Sequence, residues 1–143
     1  MKPAFVQDTD DPTWWTDEEF VVAPARSAIS LTAVTDEEAP DDEYVDSILR
    51  ILGRIDQVVL AASELILDNY SYDHFKALGI DDDLLLKDET AAGMSQVVIL
   101  TSAVFEDPDG SVFELSFEVP WDDEHSFDVT FEDGRPVCCA VNG

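Results

Sequence analysis

The sequence predicts an α+β fold: an antiparallel sheet of about six strands, in the order ββ-α-α-ββββ, with one long and one short helix packed on one face. Three observations predict it. A helical apolar stripe runs through the middle of the chain. The last third alternates like strands and is punctuated by turns. Two short strand patterns precede the helical stripe.

The 143 residues suit a single domain spanning 1–143. Residues 1–16 are acidic and irregular, with Pro3 and Pro12. They read as a loosely ordered leader whose end is pinned by Trp14 and Trp15. EEFVV at 18–22 and SAISLTAV at 27–34 read as the first two strands. In the second, Ile29, Leu31 and Ala33 alternate with Ser30, Thr32 and Val34, the pattern of a half-buried strand.

TDEEAPDDE at 35–43 is a helix-start signal, because it places acids where the helix dipole favours them. Apolar residues then fall at Tyr44, Ile48, Ile51, Leu52, Ile55, Val58, Val59, Ala62, Leu65 and Ile66. That spacing is one face of one long helix. Gly53 interrupts it and marks close packing or a bend; Arg50, Arg54, Gln57 and Glu64 lie off the stripe. SYDHFKALG at 71–79 predicts a short second helix capped by Ser71 and stopped by Gly79. Its apolar face is Tyr72, Phe75 and Leu78, and His74 lies off that face. Residues 80–93 read as a connector that can hold a turn of helix at LLL.

Four strands follow. SQVVILTSAVFE at 95–106 is a nearly continuous apolar run, as a central strand requires. DPDG at 107–110 is a turn. SVFELSFEV at 111–119 and SFDVTFE at 126–132 alternate apolar and polar residues. DGRP at 133–136 turns into VCCAV at 137–141.

The charge is extreme: 33 acidic residues against 7 basic ones, a formal net charge of −26. Direct binding to nucleic acid or to an anionic membrane is excluded by like-charge repulsion. Three readings stay open: solvation alone, a surface that captures a basic protein, and imitation of the DNA phosphate backbone. The last wants regular rows of carboxylates, whereas these are scattered in small clusters. No signal-peptide core precedes the first acids, and the longest purely apolar run is VVLAA at 58–62, too short to span a membrane. A cytoplasmic location is expected. Neighbouring Cys138 and Cys139 point to opposite faces of a strand, so reduced thiols rather than a bridge are expected.

Two stretches invite a metal reading. DPDGSVFELSFE offers Asp107, Asp109, Ser111 and Glu118 at calcium-loop positions, but the sixth place is Val112 where the loop needs Gly. A hairpin is the better reading. PWDDEH gathers Asp122, Asp123, Glu124 and His125 after Trp121. Asp122, Glu124 and His125 could ligate iron or zinc, or His125 could act as a base. The only other histidine, His74, is distant in sequence, and no nucleophile elbow or phosphate loop accompanies them. We expect no metal, no cofactor and no catalytic residues. PWDDEH reads as the connection between two strands, with Pro120 ending the first, and its exposed acids also suit recognition.

Trp121, Asp122, Glu124, His125, Phe131 and Gly134, within PWDDEH and the following FDVTFEDGR, resemble a hallmark of certain bacterial domains of unknown function. In those domains W-D-x-E-H-G joins the last two strands, and the second strand ends in an N-G or D-G turn. Ser126 stands here where the pattern has Gly. Such domains recur as immunity proteins beside polymorphic toxins. The resemblance implies a non-enzymatic inhibitor of a cognate antibacterial toxin. With the charge, it suggests that acidic residues pair with the basic surface of a nucleic-acid-targeting toxin and occlude it. The candidate partner-binding residues are Asp122, Asp123, Glu124 and His125, the triple Asp81, Asp82 and Asp83, and Trp14 with Trp15. Monomer and edge-strand homodimer both stay open. The alternatives are a small metal- or His-dependent enzyme, which His125→Ala would inactivate, and an acidic scaffold domain without a toxin partner.

Overall fold

The computed structural model describes residues 2–143. Strand β1 (Val6–Gln7), β2 (Trp14–Phe20) and β3 (Ile29–Val34) come first. Helices α1 (Asp42–Leu52), α2 (Ile55–Leu67) and α3 (Tyr72–Ala77) follow, then a 3₁₀ turn (Asp82–Leu84) and α4 (Ala91–Val97). Strands β4 (Ile99–Phe105), β5 (Val112–Val119), β6 (Asp122–Glu132) and β7 (Arg135–Asn142) complete the chain.

All seven strands form one sheet in sequence order, β1 to β7. The α+β class stands, but the expected six-stranded antiparallel sheet is a mixed one. β3 and β4 run parallel, pairing Leu31 with Ala103 and Ala33 with Phe105, while the other pairs are antiparallel. All the helices lie between β3 and β4. So long a crossover can return the chain to either end of the sheet, and a parallel pair needs one. The extra strand is in the leader, where Val6 and Gln7 pair with Thr16 and Trp15. The first long strand begins at Trp14 rather than residue 18, so the two tryptophans are strand residues.

The expected single long helix breaks into α1 and α2 at Gly53–Arg54. The Gly53 amide donates to Leu49 and that of Arg54 to Ile51, so the first helix closes before the second begins. The apolar stripe survives the break: Tyr44, Ile48, Leu52, Ile55, Val59, Ala62 and Ile66 are all buried. Asp41 caps α1 by accepting from the Tyr44 amide at 2.9 Å. Ser71 caps α3 through the His74 amide, and Thr90 caps α4 through the Gly93 amide. The segment expected as connector therefore contains a 3₁₀ turn and opens α4, and α4 takes residues 95–97 from the predicted strand.

One sheet face meets the helices. Ala103, Phe105, Phe113, Leu115, Phe117, Phe127, Val129 and Phe131 project into one core with Ile48, Val59, Ile66 and Met94. Phe113 stacks between Phe105 and Phe131, with ring centroids 5.0 and 4.7 Å apart. The Tyr44 hydroxyl faces the carbonyls of Val34 and Phe105, each at 2.8 Å, and so ties α1 to the ends of the parallel pair. The opposite face, with Thr32, Glu114, Ser116, Asp128 and Thr130, carries no helix. Both cysteines are free; Cys138 is exposed and Cys139 half-buried, and burial pushes the Cys139 thiol up to about 11.

Candidate functional site

The PWDDEH stretch is not a loop. Val119 pairs with Asp122, so the connection is the two residues Pro120 and Trp121, and Asp122 already belongs to β6. Trp121 is buried. Its ring meets Tyr70 edge-on at 4.9 Å and Phe75 at 6.3 Å, and Tyr70 lies 5.7 Å from Phe75. Such aromatic contacts add about 0.5–1.5 kcal/mol per pair beyond burial. They anchor the β5–β6 turn to the start of α3.

Beside this anchor, Asp122 holds His125. The carboxylate oxygens lie 2.8 and 2.7 Å from Nδ1, and Asp122 also accepts from the Glu124 amide at 3.1 Å. The hydrogen bond to Asp122, then its charge and that of Glu124, push the His125 imidazole up. The other side of the ring faces the end of the chain: a Cβ on Gly143 would lie 2.6 Å from His125 Cδ2. Asp123 and Glu124 are exposed. Among the described residues, no three His, Cys, Asp or Glu side chains converge as metal ligands would.

Asp81, Asp82 and Asp83 sit at the 3₁₀ turn, and among the described residues only the Asp82 side chain has a partner. It takes Lys76 Nζ at 2.8 Å and the Tyr72 hydroxyl at 3.1 Å, and these two hold its carboxyl below the usual range. Lys87 donates to its backbone carbonyl. The segment also exposes apolar side chains, Tyr72 and Leu78 from the expected apolar face of α3 and Leu84 from the 3₁₀ turn. Leu78 is 64% exposed, Leu84 47% and Tyr72 40%, and no residue of α3 is buried. Only Phe75 of that face packs against the core. Leu85 and Leu86, which follow Leu84, are buried.

Aromatic contacts link the elements that carry two of the three candidate groups. Trp121 precedes Asp122 and packs on Tyr70 and Phe75, and Tyr72 of the same segment bonds Asp82. Trp14 and Trp15 lie elsewhere. They pair with Val34 and Ala33, and Ala33 pairs with Phe105, at the end of β4 opposite Ile99 and its partner Glu118. Trp14 is 39% exposed on the helix-free face. Trp15 is half-buried on the other, its Nε1 buried without a hydrogen-bond partner.

No helix among the described residues is long and apolar enough to cross a membrane. A family model described as Domain of unknown function (DUF6985) matches residues 5–141. No curated protein and no solved structure matches the chain.

Proposed function

The chain belongs to the DUF6985 family, and from its surface chemistry we propose that it is a stoichiometric binding protein for a basic partner. The reading is that of an immunity protein which occludes a cognate, nucleic-acid-targeting toxin in the cytoplasm. The observation that carries the proposal is the exposure of Tyr72, Leu78 and Leu84 around Asp81, Asp82 and Asp83. Exposed apolar anchors ringed by charge are the composition of a recognition surface. The charge has the sign that a basic partner needs. Among the described residues, Lys and Arg side chains reach only the carboxylates of Asp42, Asp56 and Asp82, although the chain has 33 acids. Complementary potential speeds association, and desolvated anchors hold the complex. Asp122, Asp123, Glu124 and His125 extend the surface from the neighbouring strand. Trp14 and Trp15 are left outside it.

The test is affinity capture from cells of the source strain with the tagged chain, washed at low and at high salt. One stoichiometric basic protein is expected to survive the high-salt wash. Leu78→Asp with Leu84→Asp should weaken its binding at least about tenfold, a loss of about 1.4 kcal/mol, with the fold intact. Co-expression of the chain should relieve the toxicity of the captured protein. Capture of many basic proteins, all lost at high salt, would reduce the charge to solvation and overturn the proposal.

A further inference from the structure

The chain's few cations are not spread evenly. Arg26 and Lys76 each hold an aspartate at 2.8 Å. Arg50 and Arg54 hold none: no carboxylate lies within 4.0 Å of either guanidinium among the described residues. Lys87 and Arg135 also lack a carboxylate partner among the described residues, but Arg50 and Arg54 share one place in the fold. Both line the same cavity, of about 500 Å³, between the α1–α2 junction and the β4–β5 and β6–β7 turns.

The cavity is built for more than water. Its apolar wall is Ile51, Val58, Ala61, Phe113 and Phe131, and the two phenylalanines belong to the core. Its size lies within the roughly 300–1,000 Å³ of small-molecule sites. Arg50 stands in the last turn of α1 and Arg54 is the N-cap of α2, and the break between them leaves both side chains on the lining. Arg50 spends one N–H on Ser47 Oγ at 3.3 Å and keeps the rest. Arg54 opens α2 with no side-chain cap, which adds the positive end of that helix to the same wall.

The facing wall is fixed. Gly110 has φ +76°, and a Cβ there would lie 2.7 Å from Ile51 Cδ1, so the β4–β5 turn presses directly on α1. Asp109 in that wall is turned back on its own turn, accepting from the Ser111 amide at 2.9 Å. Asp133 is the other carboxylate of the lining. Its charge disfavours a second anionic group on the same ligand and favours a donor.

We propose that this cavity binds a small organic monoanion, with its carboxylate or phosphate group on Arg50 and Arg54 and a ring-sized apolar body against the half-buried Ile51, Val58 and Ala61. Forked guanidinium donors match the oxygens of either head group. The site is separate from the α3 surface and does not depend on a protein partner.

The test is a titration of the isotope-labelled full chain with phenyl phosphate, benzoate and inorganic phosphate in turn, read from the amide signals of Gly110 and Gly134. At least one of the two aromatic anions is expected to give saturable shifts with Kd at or below about 1 mM, some −4 kcal/mol. Which one saturates distinguishes a carboxylate site from a phosphate site. Arg50→Gln with Arg54→Gln should weaken that binding at least about tenfold while the rest of the spectrum stays in place. Failure of both aromatic anions to saturate overturns the proposal. So does binding that the double variant leaves unchanged, or inorganic phosphate binding as tightly as the aromatic anions.

Discussion

At Asp122 both carboxylate oxygens lie within 2.8 Å of one imidazole nitrogen, and the pair sits where β6 begins. An imidazole placed so is held protonated to higher pH than the ordinary value of about 6.5. The sign of its effect on stability follows. A raised folded-state value stabilises fully below the unfolded value, and the contribution is lost as pH rises through the folded value. Asp122→Asn removes the first and second causes of the shift. It is expected to return the His125 titration, followed by NMR, towards the ordinary value. The stability lost by this variant should be largest at acid pH and fade above neutrality. An unchanged His125 titration in Asp122→Asn would mean that the observed pair is not what holds the proton. The sequence supplied both members of this pair but not their geometry. Residues three apart point to opposite faces of a regular strand, so the pattern alone does not bring positions 122 and 125 together, and the connection is Pro120–Trp121 rather than all of PWDDEH.

Among the elements, α4 shows most clearly what a local pattern conceals. AAGMSQV carries a glycine in its interior, which disfavours a helix by about 1 kcal/mol relative to Ala, and it adjoins an apolar run with strand character. Tertiary packing decides the matter. A Cβ on Gly93 would lie 2.1 Å from the Asp88 carbonyl oxygen, so the connector lies against the helix backbone, and Met94 is buried in the core. Gly93→Ala should therefore reverse the usual sign. Instead of gaining helix stability, the variant is expected to lose about 1–3 kcal/mol, as overpacked sites do, measured by urea unfolding. A neutral or stabilising result would show that the connector moves aside freely. Other elements were legible for a physical reason. The stripe from Tyr44 to Ile66 and the alternation in β5 and β6 each report burial on one face, and burial is what periodicity measures. Strand direction has no such signature. The continuous apolar run VVILTSAVF fits a parallel strand but equally a central antiparallel one, and the pairing of β3 with β4 depends on where the helical crossover returns. The same holds for the site. Acids at 81–83 and 122–124 were visible, whereas the aromatic bridge from Trp121 to Tyr70 and Phe75 and the outward turn of Leu78 needed the fold.

For the whole molecule the governing quantity is a net charge of −26 confined to one small domain. Even the helix-free sheet face contributes. Glu114 has its carboxyl pushed up first by burial, then by the charges of Asp128 and Glu106, and one oxygen of Asp128 is buried without a partner. A raised carboxyl means that the ionised native state is disfavoured at neutral pH, so this face stabilises least where the chain is most charged. Distributed over 33 acids, such repulsion opposes compactness and is screened once the Debye length falls to the spacing between surface charges, about 10 Å at 0.1 M and about 3 Å at 1 M salt. Thermal unfolding at neutral pH should therefore shift upward with sodium chloride between about 0.01 and 1 M. The expected rise in Tm is at least about 4 °C, the change that roughly 1 kcal/mol produces in a domain of this size. A Tm indifferent to salt would mean that the carboxylates are already balanced by their arrangement, and the case for a surface waiting on a basic partner would weaken with it. A salt-dependent Tm leaves the native chain carrying an electrostatic strain that a basic partner would relieve on binding.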